Sequence, residues 1–246
     1  MTGILQAEWI KLRRSKIWLL LVILPSLPIL YTLFIYVGIM IGKYRFEADN
    51  LWFMPWAMSI MFYGGIFYPI LSAMVATSLC RFEQTGNGWK QLFTFPVPRH
   101  QLFFGKLIWL YALLLFAQIF ALALFVAVGK ILGLDGPVPW GTLFISAMSG
   151  WVGALPLAAI QYSLALWMEG FVKPMISNVA LTVPVFLIIS SELKSSSVTL
   201  YPWALPAIGM MQGGTTGVSG MFLTVVPVVL FLAIFIGLTY FRRKSV

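Results

Sequence analysis

The chain has 246 residues, of which 61% are hydrophobic and only 9% charged, with a net charge of +9 at neutral pH. A soluble domain carries roughly a quarter charged residues, so this chain lacks the polar surface that water demands, and lipid must be its solvent. A single cysteine, Cys80, excludes an internal disulfide and any metal site built on several thiolates.

The first predicted element is a helix over residues 3–16. Leu5, Trp9 and Leu12 share one helical stripe, with Lys11 and Arg14 away from it. Ile10 lies off the stripe and Lys16 on it, so the amphipathicity is imperfect. The pattern reads as a helix lying in the membrane interface with Trp9 as its anchor; a disordered basic tail is the plainer alternative.

Six apolar runs follow, over roughly 17–41, 53–79, 105–131, 142–168, 174–192 and 220–241. Each is long enough to cross a hydrocarbon core of about 30 Å, which takes roughly 20 helical residues. The first run is too long for the core of a cleaved signal peptide and reads as a retained span. Continuous runs favour helices over a barrel, whose strands would alternate in segments of about ten residues. The fold expected is therefore an all-α integral membrane protein forming a single transmembrane domain over 1–246, without an independent soluble domain.

Charge gives the orientation. Lys11, Arg13, Arg14, Lys16, Arg81, Lys90, Arg99, Lys106, Lys173, Arg242, Arg243 and Lys244 fall on the side that holds both termini. The other side has Lys43, Arg45, Lys130 and Lys194, matched by Glu47, Asp49, Asp135 and Glu192. The whole net charge of +9 therefore sits on one face, which the positive-inside rule makes cytoplasmic. Anionic headgroups account for that excess, so nucleic acid is not an expected partner.

Aromatic residues crowd the second span and its outer end. Trp52, Trp56, Tyr63 and Phe67 would line a path for an amphiphilic peptide or lipid-like molecule, or else form an aromatic belt with helix packing. Gly64 and Gly65 permit a close helix contact there.

The loop over 81–100 is the longest on the cytoplasmic side. Gly86 and Gly88 allow a tight turn, Trp89, Leu92 and Phe93 form an apolar cluster at helical spacing, and Pro96 and Pro98 stop it. Such a short helix is either a docking knob for a soluble partner, with its aromatic face exposed, or an interfacial helix lying on the headgroups. Under the first reading, Trp89→Ala with Phe93→Ala abolishes partner association.

Before the last span, residues 200–217 begin with an apolar stretch broken by Pro202 and Pro206 and end in a glycine-rich run. They read as a short outer re-entrant segment, or as a plain loop resting on the headgroups.

Chemistry is sparse. The chain lacks the GxxxxGK[ST] phosphate loop, and its one histidine, His100, has no metal-spaced or triad-like neighbours in the sequence. Lys106, Lys130, Glu169 and Glu192 lie near span ends, where long side chains reach the interface. The span interiors carry no charged ion relay, so the expectation is that any work the domain does is powered from elsewhere; ion binding by uncharged polar groups or backbone carbonyls is the alternative.

The run Glu83, Gly86, Trp89–Lys90–Gln91–Leu92, Thr94, Pro96–Val97, Arg99 and Lys106 resembles the first cytoplasmic loop of ABC type-two permeases. Ala7–Glu8–Trp9, Lys11 and Arg13–Arg14–Ser15 resemble the N-terminal interfacial helix of the same family. The layout is most similar to the small permeases that protect Gram-positive bacteria from lantibiotics or bacitracin. The resemblance implies a permease paired with a second, identical or related copy in the bacterial plasma membrane, with a pair of soluble ATPase subunits binding ATP and Mg; this chain would bind no cofactor. It assigns ATPase coupling to Glu83, Gly86, Trp89, Lys90, Leu92 and Phe93, and transmission to the helix bearing Glu8, Trp9 and Arg13. The function implied is export of an antimicrobial peptide or another amphiphile; a non-transporting membrane scaffold or sensor is the alternative.

Overall fold

The computed structural model describes residues 2–41, 52–84, 88–89, 94, 97–134, 136–168, 170–190, 196–212 and 219–243. Among these every regular element is helical, and the protein is an all-α membrane protein. In chain order they are α1 (Thr2–Arg13), α2 (Ile17–Ile35, continuing as a π-helical turn over Tyr36–Ile41), α3 (Phe53–Ser59), a π-helical segment (Ile60–Phe67) and α4 (Tyr68–Gln84). There follow α5 (Arg99–Ile131), α6 (Trp140–Trp167), α7 (Val172–Ser190), a 3-10 turn (Ser196–Leu200), α8 (Leu205–Met211) and α9 (Gly220–Arg243).

Among the described residues, five helical stretches are long and apolar enough to cross a membrane: Ile17–Gly38, Phe53–Gln84, Arg99–Ile131, Trp140–Trp167 and Gly220–Arg243. The sixth expected span is α7, whose 19 residues reach roughly 28 Å at 1.5 Å per residue, close to the thickness of the core. Two spans run further than the apolar pattern suggests. α4 continues to Gln84 and α5 starts at Arg99, so both ends of the 81–100 loop are helical. Pro98, with φ −60° and ψ 132°, stands just before the first turn of α5, where its missing N–H costs nothing.

The other end of α5 stops by glycine geometry. Gly133 has φ +80°, a left-handed conformation that only glycine adopts cheaply. Leu134 N–H then bonds the Gly129 carbonyl at 3.0 Å and Gly133 N–H bonds Lys130 at 3.2 Å, satisfying carbonyls the helix would leave bare.

α6 is the central helix, with α4, α5, α8 and α9 packed against it. The apolar segment broken by prolines becomes α8, which is buried in the bundle. Its Gly209 abuts the Ser149 carbonyl, and Gly153 of α6 abuts the Leu205 carbonyl. On its other side, a Cβ placed on Gly64 would lie 3.0 Å from Ala207 Cα. Gly150 and Gly153 lie near the middle of α6, so α8 sits roughly 15–20 Å in from that helix's start. A polar hub nearby fixes four elements. Asn178 Nδ2 donates to the Pro69 carbonyl (3.2 Å), while its Oδ1 accepts from Trp203 Nε1 (2.9 Å) and from Gln161 Nε2. Asn178 is fully buried, where the partners spare it the cost of an unpaired amide.

Candidate functional site: a charged junction at the basic end

α1 forms as expected, but its buried face carries a charge. Leu12 is fully buried and Glu8 is 4% exposed, whereas Trp9, expected as the anchor, is 41% exposed. Trp9 stacks on Trp109 of α5 (centroids 5.3 Å apart) and meets Trp18 of α2 edge-on (6.0 Å). Trp109 Nε1 donates to the Leu5 carbonyl at 3.0 Å, and Trp18 Nε1 donates to Leu12 at 3.1 Å. A Cβ on Gly105 would lie 2.8 Å from Ile4 Cγ2, so α1 lies directly on the backbone of α5. Arg13 is exposed.

Between α1, α4 and α5 lies a four-membered ion cluster. Lys106 Nζ contacts both Glu8 carboxylate oxygens at 3.0 Å, Glu83 Oε2 at 2.8 Å and the Leu79 carbonyl at 3.1 Å. Lys11 Nζ bridges the same acids from outside, at 2.7 Å from Glu83 Oε1 and 3.2 Å from Glu8 Oε1. Two ammoniums face two carboxylates, so the cluster is neutral. That balance is what allows Lys106, Glu8 and Glu83 to be buried.

Burial opposes the charge on Lys11, but the Glu83 carboxylate and then Glu8 outweigh it and raise its pKa above the ordinary 10.5. A raised lysine pKa contributes stability that is fully present below the unfolded value and is lost as pH rises through the folded one. The Lys11 pairs therefore hold throughout the neutral range.

Lys106 corrects an expectation. It does not reach out to the interface; it is 2% exposed and is the centre of the cluster. Glu83 likewise pairs within the chain. Trp89 is 6% exposed and meets Phe241 of α9 edge-on at 5.4 Å, so its indole is not part of an exposed knob. Gly86, Lys90, Leu92 and Phe93 lie outside the described residues. The start of the loop is tied to Glu83: a Cβ on Gly88 would lie 2.9 Å from both Glu83 Cα and its carbonyl oxygen.

Three further bonds extend the junction. Gln84 Nε2 donates to the Ala165 carbonyl (2.8 Å) and Gln84 Oε1 accepts from Gly170 N–H (3.1 Å), linking α4 to the α6–α7 turn. Arg99 Nη1 donates to the Arg242 carbonyl (2.7 Å), linking α5 to the end of α9. Every helix that ends here is thus joined, directly or through one neighbour, to the start of the 85–98 loop.

The aromatic residues of the second span are mostly internal. Trp52, Trp56 and Tyr63 are buried and Phe67 is half-buried. Trp52 and Trp56 meet Phe125 of α5 at 6.1 and 4.9 Å, and Tyr63 Oη approaches the Ala117 carbonyl at 3.5 Å. Trp56 also lines a cavity of about 80 Å³ with Phe53, Ile60, Ser146, Met210 and Met211.

Helices long enough to span, joined at a basic end by a buried charge junction, define a multi-pass α-helical membrane protein. Residues 4–186, which run from α1 into α7, match the family described as ABC-2 family transporter protein, and the chain belongs to that family. It is thus a transmembrane permease subunit of the ABC type, a class that works with an ABC ATPase partner. No curated protein and no solved structure matches the chain.

Proposed function

We propose that this permease is the export subunit of an ATP-driven transporter in the bacterial plasma membrane, with both termini cytoplasmic. A pair of soluble ATPases binds ATP and Mg and seats the 81–100 loop of each of two permease copies, identical or related. The cargo is an amphiphile, and a lantibiotic-like antimicrobial peptide is the reading the resemblance favours. The observation that carries the proposal is the Glu8–Lys106–Glu83–Lys11 junction. It binds α1, α4 and α5 beside the loop, so ATPase closure is passed on to the spans rather than absorbed. Such a change is useful only if the cargo binds the two states with different affinity.

Because Trp89 packs inside the chain, the contacts to test are Leu92 and Phe93. A tagged chain solubilised in mild detergent should bring down an ATPase, and Leu92→Ala with Phe93→Ala should cut recovery about tenfold, the equivalent of roughly 1.4 kcal/mol. Recovery of the intact chain without any ATPase would move it to the scaffold class. The orientation has its own test. In a Cys80→Ala background, Ser197→Cys should react with an impermeant thiol reagent added outside, and Asn87→Cys should not. The opposite pattern reverses the topology.

A further inference from the structure

At the end of the bundle opposite the charge junction, Phe53, Thr142, Ser146 and Met210 are among the residues lining the cavity. Trp56 Nε1 donates to Ser146 Oγ at 2.7 Å, and Ser146 Oγ donates to the Met210 carbonyl, so these polar groups are spoken for. Gln118 of α5 is different. It is fully buried, and among the described buried side chains it alone has both amide atoms without a hydrogen-bond partner. An unpaired buried amide is costly in an apolar surrounding. A methyl group or an alkyl side chain would serve packing better.

Gln118 does not itself line the cavity, and Met210 is what links the two. A Cβ built on Gly150 would strike Met210 Cγ, lie 3.1 Å from Met210 Cε and lie 3.4 Å from Gln118 Nε2. Met210 also lines the cavity and reaches Gly64, where its Sδ would be 3.0 Å from an added Cβ. This one flexible thioether therefore lines the cavity and lies beside the Gly150 backbone that the Gln118 amide also approaches. Methionine is the apolar side chain best suited to move aside, with its three rotatable bonds.

We infer that Gln118 is the hydrogen-bonding floor of a binding site within a single permease chain, that Met210 is its cover, and that it receives the hydroxyl-bearing headgroup of an uncharged amphiphile. A carboxamide offers two donors and an acceptor without charge, which suits a hydroxyl and does nothing to neutralise an ion. The lining residues described here include no ionised side chain, so a charged headgroup would enter at a large desolvation cost. Phe53, Trp56, Ile60 and Met211 supply the apolar wall for the rest of the molecule. That the ligand is a transported cargo rests on the export reading; the site itself does not.

The test uses the full chain with Cys80→Ala and Thr142→Cys, reconstituted in phosphatidylethanolamine–phosphatidylglycerol vesicles without ATPase. Cys at 142, on the cavity wall, is labelled with 2-aminoethyl methanethiosulfonate, with and without octyl glucoside below its micellar concentration. The glucoside, at about four times its dissociation constant, should slow labelling about fivefold. Adding Gln118→Leu, which removes one neutral hydrogen bond and so about fivefold in affinity, should cut that protection to about twofold or less and leave the rate without glucoside unchanged. Absence of protection in the parent, as for a pocket that takes only water, overturns the inference, and so does equal protection in the Gln118→Leu chain. Failure to recover an ATPase partner would sink the export reading while leaving this result standing.

Discussion

Lys106→Met should be the most damaging single substitution at the basic end, lowering stability by about 3–5 kcal/mol, the usual cost of removing one partner from a buried ion pair. The reason is the loss of balance rather than the loss of one bond. Lys106 contacts both oxygens of Glu8 and one of Glu83. Without it, two buried carboxylates share Lys11, whose side chain is 34% exposed. Lys11→Met should cost much less, about 1 kcal/mol, because water screens a pair of that exposure. The double variant Lys106→Met with Glu83→Gln restores neutrality and should recover a large part of the loss, leaving Glu8 with Lys11. Thermal unfolding in detergent, followed by tryptophan fluorescence, measures all three. Trp9 and Trp109 are stacked across the α1–α5 contact, so their emission should change first if α1 is released. Equal destabilisation by Lys106→Met and Lys11→Met, or no recovery in the neutral double variant, would show that charge balance does not hold the junction.

How much of this was legible in the sequence depends on the range of the interaction. The spans were legible because lipid imposes length and apolarity locally, residue by residue. Their ends were less so: Arg81 to Gln84 look like loop by hydropathy, yet they extend α4, since a helix can continue into water. The resemblance to ABC type-two permeases, read from the 81–100 loop and the opening helix, agrees with the family match.

The junction was hidden because its members are far apart in the chain. Glu8 bonds Lys106 across 98 positions, and periodicity does not register such pairs. One signal was present. Leu5, Glu8 and Leu12 are spaced three and four apart, so Glu8 shares the buried stripe, and an acid on an apolar stripe asks for a cation. Reading Trp9 as the stripe's centre instead obscured it. The packing of Trp89 is hidden for a related reason: an aromatic residue in a polar loop looks exposed until α9 returns Phe241 beside it from the far end of the chain. Gly64 was recognised as a close-contact position, but its partner, α8, follows from long-range packing and not from the glycine itself.

Gly209→Ala should displace α8 from the bundle, with a destabilisation of about 1–3 kcal/mol, typical of overpacking. The sign is informative because local propensity points the other way. Alanine favours a helix over glycine by roughly 1 kcal/mol, so an unpacked α8 would be stabilised by the change. What opposes it is backbone. The added methyl would strike the Ser149 carbonyl and lie 3.0 Å from Gly150 Cα, and neither can swing aside as a side chain can. Relief requires α8 as a whole to move away from α6. That movement would separate Ser146 Oγ from the Met210 carbonyl and lift Met210 from Gly150. Gly153→Ala should act in the same direction, since its methyl meets the Leu205 carbonyl from the α6 side. Gly220→Ala, where an added Cβ meets nothing within 4 Å, is the matched control and should be neutral or mildly stabilising. With Thr142→Cys as reporter in the Cys80-free chain, thiol labelling should speed up in Gly209→Ala and Gly153→Ala and stay unchanged in Gly220→Ala. Faster labelling together with a lower melting temperature would identify α8 as the movable wall of the cavity. A melting temperature raised in Gly209→Ala would mean that propensity, not the contact with α6, governs α8, and that the close approach of the two helices contributes nothing to holding it in place.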